Sequence, residues 1–307
     1  MSEPAVSVVI PTHAGRATLA RALDSLLPNA PYIAEVLVVL SNASPDYAAW
    51  CAQVLQPYRR YFALRVLDSA SPSNAAIARN AGIAAAAAPY VAFLDDDDEW
   101  MAHKLASYLA AIEQRGLAGE FVLFSTVVSC REDRSDWLLF PRVRYCGEPI
   151  GDFVLSAKGG VQTSAIVLPT ALARRVGFDP QLTRHTDYDF CMRLAEAGAG
   201  FHAIAEPLSY WYRRGSSVAK GATFEYCARW LRANQHRLSR AAFIGYIEKD
   251  LLASARASGR WREFARLQRT QLNALEWLGS VLRLGARALH KLARAGHAGR
   301  RGTYQSA

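Results

Sequence analysis

The chain has 307 residues and a formal net charge of +9 at pH 7. This length accommodates one large α/β domain with a smaller appendage, and a hydrophobic content of 51% supports a core without disulfide or metal staples. From residue 240 onward the sequence contains 13 Lys and Arg against 4 Asp and Glu, whereas the rest contains 23 of each sign. The basic character therefore belongs to the C-terminal tail.

Composition argues against several classes of protein. The five cysteines are scattered and form no C-x-x-C pair, which is typical of a reduced, cytosolic protein rather than a disulfide scaffold or a zinc site. The N-terminus has no basic segment followed by an apolar one, so we expect no signal peptide. No apolar run approaches the roughly 20 residues needed to span a bilayer. No motif supports nucleic acid as a partner of the basic tail.

The first hundred residues alternate apolar runs with helical patterns. Leucines at helical spacing predict a helix after residue 19, Ser44 and Pro45 predict the start of a second, and an alanine-rich third covers 74–88. Buried strands are predicted between them, at residues 6–10, 36–40, 64–67 and 90–94. Strands that alternate with helices predict a parallel sheet with right-handed crossovers, covered on both faces.

The remaining pattern is mixed and then helical. A flexible Gly159-Gly160 precedes one of the predicted strands, and Gly198 is expected to end the helix that follows Asp187. In chain order we predict a helix at 104–115, a strand at 121–128, an edge hairpin at 131–144, a strand at 164–168 and a helix that follows the Asp187 region and ends at residue 197. Helices near 224–237, 243–257 and 261–292 then follow, and residues 296–307 are expected to be disordered.

Four consecutive aspartates, residues 95–98, follow the predicted strand at 90–94 and are called the acidic run below. Ligands of open parallel sheets bind where the strands end, and clustered carboxylates repel one another unless a hard cation such as Mg²⁺ or Mn²⁺ lies among them. Alternate residues of an extended segment share a side, so Asp95 and Asp97 are expected to face the same way. The alternative is a solvated turn that caps a helix beginning near Glu99.

The chain resembles the family 2 glycosyltransferases in motifs that occur in the same order. They are VSVVIPTH at residues 6–13, ARNAG at 78–82, LDDDDEW at 94–100, and GFD at 177–179 followed by TDYDFCMRL at 186–194. The resemblance runs from Val6 to about Ser217. It implies the GT-A fold, a Rossmann-like and mostly parallel sheet flanked by helices. The nucleotide-binding half would cover about 1–100 and the acceptor-binding half 101–217, followed by an α-helical extension at 218–307.

The same resemblance implies an inverting transfer of a sugar from a UDP- or dTDP-sugar to a glycan hydroxyl, with Mn²⁺ or Mg²⁺ as cofactor. Asp95 and Asp97 would bind the nucleotide ribose and the metal, which neutralises the leaving diphosphate. Asp96 or Asp98 would contact donor hydroxyls or cap the next helix. Pro11, Thr12 and His13 would line the nucleotide pocket, unless they form an ordinary turn after the first strand.

Two further charged residues receive roles. Arg79 lies in a small apolar helix and needs a partner, which would be the nucleotide, the acidic run or a structural ion pair. Asp187 matches the family's general base, a role that contributes about 10²–10⁴-fold to rate. Asp189 is the rival base, and Asp187 could instead cap its helix.

His185 and His202 are available to ligate a metal, although a lone histidine is more often structural.

The sequence departs from the family pattern at two points. It has Leu40-Ser41-Asn42-Ala43-Ser44 where the family has an aspartate that holds the nucleobase, and Thr186 where a glutamate is common. Asn42 could hydrogen-bond a pyrimidine, but uridine and thymidine stay undecided. Arg213 belongs to a segment, Tyr210–Ser217, that resembles the family's mobile loop, and it could cover the diphosphate.

The last predicted helix is amphipathic. Its leucines lie roughly on one side and its basic residues on another, namely Leu275, Leu278, Leu282, Leu289 and Leu292 against Arg283, Arg287, Lys291 and Arg294. This pattern suits peripheral binding to an anionic inner leaflet and a lipid-linked acceptor. A helix packed on the body or on a second subunit is an equal alternative.

Three rival functions are considered. A nucleotide-sugar pyrophosphorylase would carry a Gly- and Arg-rich loop after the first strand, where this chain has only Ala14-Gly15-Arg16. An aspartyl phosphatase would have Thr or Val where this chain has Glu99. A non-catalytic protein that binds a glycan or a partner through the same fold is favoured only by the missing aspartate near Ser41. The sugar, the acceptor and the oligomeric state stay open.

Overall fold

The computed structural model describes residues 5–13, 17–69, 72–213 and 221–295, and side chains as far as residue 286. Nine strands within these residues form one sheet with the order β3-β2-β1-β4-β8-β6-β9-β5, and β7 pairs with β6. They are β1 (Val6–Thr12), β2 (Ile33–Leu40), β3 (Leu64–Asp68), β4 (Tyr90–Phe93), β5 (Glu99–Trp100), β6 (Phe121–Cys130), β7 (Leu138–Phe140), β8 (Ile166–Pro169) and β9 (Gly200–Tyr212).

Helices cover both faces of this sheet and make up the C-terminal region. Seven lie in the body: α1 (Leu19–Asp24), α2 (Pro45–Leu55), α3 (Ala75–Ala85), α4 (Lys104–Gln114), α5 (Ile150–Leu155), α6 (Thr170–Val176) and α7 (Thr186–Glu196). Five more and one turn of π-helix (Ile247–Leu251, the π turn) follow: α8 (Phe224–Asn234), α9 (Arg240–Tyr246), α10 (Leu252–Ser258), α11 (Trp261–Gln271) and α12 (Ala274–Ala295).

Strand direction brings the ends of six strands to one edge of the sheet. Strands β1 to β4 are parallel, and β6 is parallel to β9. Because β8 is antiparallel to both β4 and β6, these two strands point the same way. The chain therefore leaves β1, β2, β3, β4, β6 and β9 at the same edge. This arrangement confirms the predicted mostly parallel α/β sheet and places residues 95–98 beside the ends of the other strands.

The core consists of two main layers, one on each face of the sheet. Alternate residues of a strand point to opposite faces, so Val8 and Ile10 pack against α1, α2 and α4, whereas Val9 packs against α3 and the later helices. Both layers are apolar, which explains why these strands read as continuous hydrophobic runs. The second layer continues into the C-terminal helices through residues such as Trp230 and Tyr246.

The predicted helix starts are confirmed where a capping side chain is present. The Ser44 hydroxyl accepts a hydrogen bond from the Tyr47 amide at 3.2 Å, and Pro45 occupies the first turn of α2. The Asn74 side chain accepts from the Ile77 amide at 2.9 Å, which starts α3. The predicted edge hairpin at 131–144 is only partly present, because that range contains one strand, β7, which pairs with the preceding β6.

The predicted helix over 261–292 is wrong as a single element, because the chain breaks between α11 and α12. Leu272 is buried and extended, and Asn273 and Glu276 exchange side-chain-to-amide hydrogen bonds of 2.9 Å in both directions. This reciprocal cap begins a new helix.

No helix among the described residues is long and apolar enough to cross a membrane. Residues 296–307 lie outside the described part of the chain.

Candidate active-site cleft

A cleft of about 230 Å³ opens at the edge where the strands end. Its polar lining includes Arg79, Asp95, Asp97, Arg184 and Asp187, with Trp211 as an aromatic wall. The cleft therefore combines the acidic run, the predicted base and two arginines. A more apolar cavity of about 360 Å³ lies between α8 and α11, and none of the motif residues lines it.

The four aspartates of the acidic run point in different directions. Asp95 and Asp97 line the cleft, and Asp95 forms an ion pair with Arg79. Asp96 instead accepts a hydrogen bond from the Thr12 hydroxyl, at the end of β1. Asp98 is buried in the protein interior. The protein thereby separates the four charges, so that two carboxylates remain at the cleft.

Asp98 organises the floor of the cleft and does not reach it. Its carboxylate accepts hydrogen bonds from Gln162 and from the Ser164 hydroxyl, both at 2.7 Å, and from the Tyr212 amide at 3.2 Å. Burial, together with the charges of Asp95 and Asp97, raises the pKa of Asp98 well above its usual value. Asp98 therefore joins the acidic run to β9 and to the segment before β8. It neither caps a helix nor contacts the cleft, because α4 begins after His103.

The ARNAG motif joins three elements through three different contacts. Arg79 pairs with Asp95, as one of its predicted alternatives required. The Asn80 amide accepts from the Phe178 amide and donates to the Phe178 carbonyl, both at 2.8 Å, which attaches the GFD motif to α3. Gly82 faces β1, where an added Cβ would lie 2.3 Å from Val9 Cγ1. The motif thus brings the helix, the first strand and the GFD turn together.

Asp187 lies in the first turn of α7 and reaches the cleft with part of its side chain exposed. Burial of the rest raises the pKa of its carboxyl above the usual value. Asp189 lies on another side of α7, where it is 3% exposed and pairs with Arg237 at 2.8 Å and Arg193 at 3.9 Å. Only one of the two candidate bases therefore borders the cleft.

The residues predicted to read the nucleotide lie at the ends of β1 and β2, and none of them lines the cleft. Thr12 is buried, and because its hydroxyl donates to Asp96 it accepts from the Tyr47 hydroxyl. His13 is exposed, and its Nδ1–H donates to the Ser41 carbonyl at 2.6 Å. Pro11 is buried within β1.

Asn42 adopts a positive φ of 49° and bridges two loops. Its side-chain amide donates to the Ser73 carbonyl at 2.6 Å and accepts from the Ser73 amide at 2.8 Å. These bonds leave one N–H and one lone pair of the Asn42 amide for a ligand.

The two histidines with possible metal roles are placed differently. The ring of His185 stacks on Tyr188, and its Nε2 lies 3.0 Å from the Tyr246 hydroxyl. Burial lowers the pKa of His185 to about 3, so its imidazole is neutral. His202 lies near the start of β9, at the edge of the sheet opposite the cleft. His185 thus lines the cleft from within an aromatic cluster, and His202 is remote from the site.

Comparison with known proteins identifies the family. Residues 7–163 match the model of glycosyl transferase family 2. The chain is also 34% identical over 254 residues to the amylovoran biosynthesis glycosyltransferase AmsB of Erwinia amylovora, a match that covers 80% of this chain and 83% of that protein. The chain belongs to the family 2 glycosyltransferases.

Solved structures agree with the fold of this family 2 glycosyltransferase. S. aureus TarS 1–349, in complex with UDP-GlcNAc, superimposes with a TM-score of 0.59 at 17% identity, over 91% of this chain and 80% of that one. The mannosyltransferase PcManGT from Pyrobaculum calidifontis, in complex with GDP-Man and Mn²⁺, gives 0.58 at 18% identity, over 96% and 83%. The predicted GT-A fold is confirmed.

The cleft of this glycosyltransferase has carboxylates that could bind a divalent ion together with the phosphates of a substrate. Among the described residues, no three His, Cys, Asp or Glu side chains form a ready metal-binding group. Two carboxylates, Asp95 and Asp97, nevertheless line the same cleft. Mg²⁺ sites commonly use one or two carboxylates and complete their coordination with substrate phosphates and water. Asp95 and Asp97 are therefore oxygen donors of the kind that such an ion prefers.

Several residues of the cleft were given no role by the sequence. Arg184 and Trp211 line it, and Gln162 and Thr163 form part of its wall. They come from loops and from the end of β9, where no local pattern indicates which side chain faces a ligand.

Arg213 was predicted to act at the diphosphate. Its amide donates to the Cys130 carbonyl at 2.8 Å, and its guanidinium contacts Asp136. Of its predicted mobile loop, Tyr210–Ser217, the first three residues belong to β9 instead, and residues 214–217 lie outside the described residues.

Proposed function

We propose that this glycosyltransferase is inverting and metal-dependent, and that it transfers a sugar from a UDP- or dTDP-sugar to a hydroxyl of a growing surface glycan. One observation carries the proposal: Asp95 and Asp97 line the same cleft as Asp187. A diphosphate held at the first pair and an acceptor hydroxyl near the third carboxylate would fit in one cavity. The similarity to AmsB supports a role in polysaccharide biosynthesis.

Asp187 is the proposed general base. The acceptor hydroxyl gives its proton to the Asp187 carboxylate, its oxygen forms a bond to the anomeric carbon, and the bond from that carbon to the diphosphate oxygen breaks with its electron pair. Attack opposite the leaving group inverts the anomeric centre. Because burial raises the pKa of Asp187, its carboxylate is more basic than an exposed aspartate.

The acidic run is the proposed donor site. Asp95 and Asp97 would hold Mn²⁺ or Mg²⁺, which supplies positive charge against the leaving diphosphate. Arg79 orients Asp95 through their ion pair. Asp98 holds the backbone of the acidic run in place through its hydrogen bonds from Ser164 and Tyr212. Pro11, Thr12, His13 and Asn42 would border the nucleotide.

Calorimetric titration of UDP and dTDP, with and without Mn²⁺, tests the donor site. We expect one of them to bind, and to bind more tightly with the metal. Asp97→Ala should remove the metal-dependent part, whereas Glu113→Ala, an exposed carboxylate on α4, should leave it unchanged. GDP serves as a third probe, because PcManGT was solved with GDP-Man. Equal nucleotide affinity with and without Mn²⁺ would contradict the proposed donor site.

We also propose that α12 binds an anionic membrane surface, where a lipid-linked acceptor would be available. Leu275, Leu278 and Leu282 are spaced along one side of α12 and are 82%, 49% and 64% exposed. The C-terminal segment that carries them has the whole positive excess of the chain. An exposed apolar stripe with basic neighbours is the pattern of interfacial helices.

Co-sedimentation with vesicles tests this surface. The protein should bind vesicles that contain phosphatidylglycerol more strongly than vesicles of phosphatidylcholine alone. Leu278→Asp with Leu282→Asp should abolish binding. Tyr61→Asp with Val143→Asp, at exposed residues outside the C-terminal segment, is the matched control and should bind like the wild type. Equal binding by the leucine double variant would refute the proposal, and a change in oligomeric state would assign α12 to a second copy instead.

A further inference from the structure

The π turn lies between α9 and α10 and carries three consecutive charged residues that contact different parts of the molecule. Glu248 is 5% exposed and pairs with Arg283 of α12 at 2.7 Å. Lys249 and Asp250 face the body of the enzyme beside α7. A π turn inserts one extra residue into a helix, which redirects its side chains, and such turns are frequent at functional sites.

Lys249 contacts both the α5 segment and the start of α7. Its Nζ donates hydrogen bonds to the Val154 carbonyl at 2.8 Å and to the Gly159 carbonyl at 3.2 Å. The same ammonium group lies 4.9 Å from the centre of the Tyr188 ring. Val154 and Gly159 lie just before Gln162, which lines the cleft and binds Asp98. One cation thus contacts the two segments that carry Asp187 and the floor of the cleft.

Asp250 completes this group from the same turn. Its carboxylate accepts a hydrogen bond from the Tyr188 hydroxyl at 3.3 Å. Its Oδ2 atom is buried and has no hydrogen-bond partner in the described part of the chain. An anion with an unsatisfied oxygen in a buried setting requires a nearby positive charge, and Lys249 is adjacent to it.

We propose that Lys249 is a positioning residue, which places a cation beside Asp187 and holds the first turn of α7 against the 154–164 segment. The inference rests on the proposed role of Asp187 as the base. It gives the C-terminal helices a part in catalysis, because the π turn adds a second cation near Asp187 to the one that Arg184 supplies from the body. Tyr188 transmits the contact, since it follows Asp187 and lies between Lys249 and Asp250.

The electrostatic consequence has a definite sign. Burial raises the pKa of Asp187, and the charge of Lys249 opposes that rise. Burial likewise lowers the pKa of Lys249, and the charges of Asp250 and Asp187 oppose that fall. The charged and titratable groups around Asp187 come from its own segment, from the π turn and from across the cleft: Arg184, His185, Tyr188, Cys191, Lys249, Asp250, Asp95 and Asp97.

A carboxyl ¹³C NMR titration of the full chain tests the inference without any substrate, with Asp187→Asn used to identify the signal. Lys249→Met should move the Asp187 midpoint to higher pH by about one pH unit. Lys249→Arg should keep it near the wild-type value, and Arg256→Met, an exposed cation of the same region, should leave it unchanged. An unmoved midpoint in a folded Lys249→Met protein overturns the proposal.

A second variant covers the case in which Lys249→Met does not fold. Lys249→Gln keeps a hydrogen-bond donor on this side chain but removes its charge, so the Asp187 midpoint should again move to higher pH. In activity assays, Lys249→Met should shift the acid limb of the kcat/KM profile upward, and Lys249→Arg should restore it. A wild-type protein that transfers no sugar would refute the proposed function and leave the titration result standing, so the two failures are distinguishable.

Discussion

Asp187 and Asp189 are two residues apart, but only Asp187 borders the cleft. We therefore expect Asp187→Asn to lower kcat by about 10²–10⁴-fold, because it removes the proton acceptor and leaves the donor site intact. Nucleotide affinity, measured by calorimetry, should stay within twofold of the wild-type value. Near-normal turnover in this variant would show that another group takes the proton.

Asp189→Asn is the matched control, since it makes the same chemical change on the same helix. It should weaken the ion pair with Arg237 and lower the free energy of unfolding by roughly 1–3 kcal/mol, because that pair is buried. Its kcat at a temperature well below unfolding should match the wild type. The opposite result, a loss of kcat without a loss of stability, would make Asp189 the base.

The lowered pKa of the buried His185 makes the stability of the protein depend on pH. Its pKa is about 3 in the folded protein against about 6.5 in an unfolded chain, so the unfolded state alone takes up a proton between these values. Stability is therefore lost as pH falls below about 6.5, by up to about 1.4 kcal/mol per pH unit from this residue. His185→Asn, which also tolerates the positive φ, should give a shallower dependence in urea unfolding at pH 7 and pH 5.

At the scale of elements, the contact between α3 and β1 positions Arg79. In Gly82→Ala the new Cβ would lie 2.3 Å from Val9 Cγ1, so the helix must move away from the strand. We expect the free energy of unfolding to fall by about 1–3 kcal/mol, and the donor KM to rise as Arg79 separates from Asp95. Thermal unfolding and donor kinetics measure the two effects.

The double variant Val9→Ala/Gly82→Ala tests the cause of that loss. If the clash is responsible, the pair should be less destabilised than the sum of the single variants. Gly285→Ala, where a Cβ meets nothing within 4 Å, is the control and should be neutral or stabilising by about 0.5–1 kcal/mol. Additive losses in the double variant would place the effect elsewhere in α3.

Local signals in the sequence predict elements that depend on local interactions. Strands β1, β2 and β4 are mainly apolar runs, and β3 is a short edge strand interrupted by Arg65. Helices α2 and α3 begin at capping side chains, so both kinds of element were predictable. Helices α5 and α6 have six and seven residues and are stable only through tertiary packing, so no local pattern identified them. Strand β9 was also missed, because Pro207 and an irregular register with β6 interrupt its pattern.

The candidate site divides in the same way. The acidic run, Arg79 and Asp187 were identified because they lie in motifs, and the structure brings Asp95 and Asp97 of the run to one cleft with Arg79 and Asp187. Motif position did not reveal that Asp98 turns inward or that Asn80 binds Phe178, since both depend on what the chain contacts elsewhere. Lys249 had no sequence signal, because its partners are up to 95 residues away.

At the scale of the whole molecule, the C-terminal helices and the sheet share one apolar layer, which includes Val9, Phe93, Trp230, Tyr246 and Leu272. Loss of either part would expose the other to water, so we expect a single cooperative unfolding transition. Circular dichroism at 222 nm and tryptophan fluorescence should give coincident thermal curves. Two separated transitions would show that the C-terminal region unfolds by itself.

The common direction of the six strands gives the enzyme two unlike edges. The turn from α4 to β6 contains Gly116 and Gly119, is exposed, and lies at the start of β6, at the edge opposite the cleft. A dye, an affinity tag or a surface linker attached at Ala118 would therefore leave the cleft open to solvent. For single-molecule work or an immobilised biocatalyst, this turn is a suitable attachment point, because a protein tethered there has its cleft on the side away from the surface.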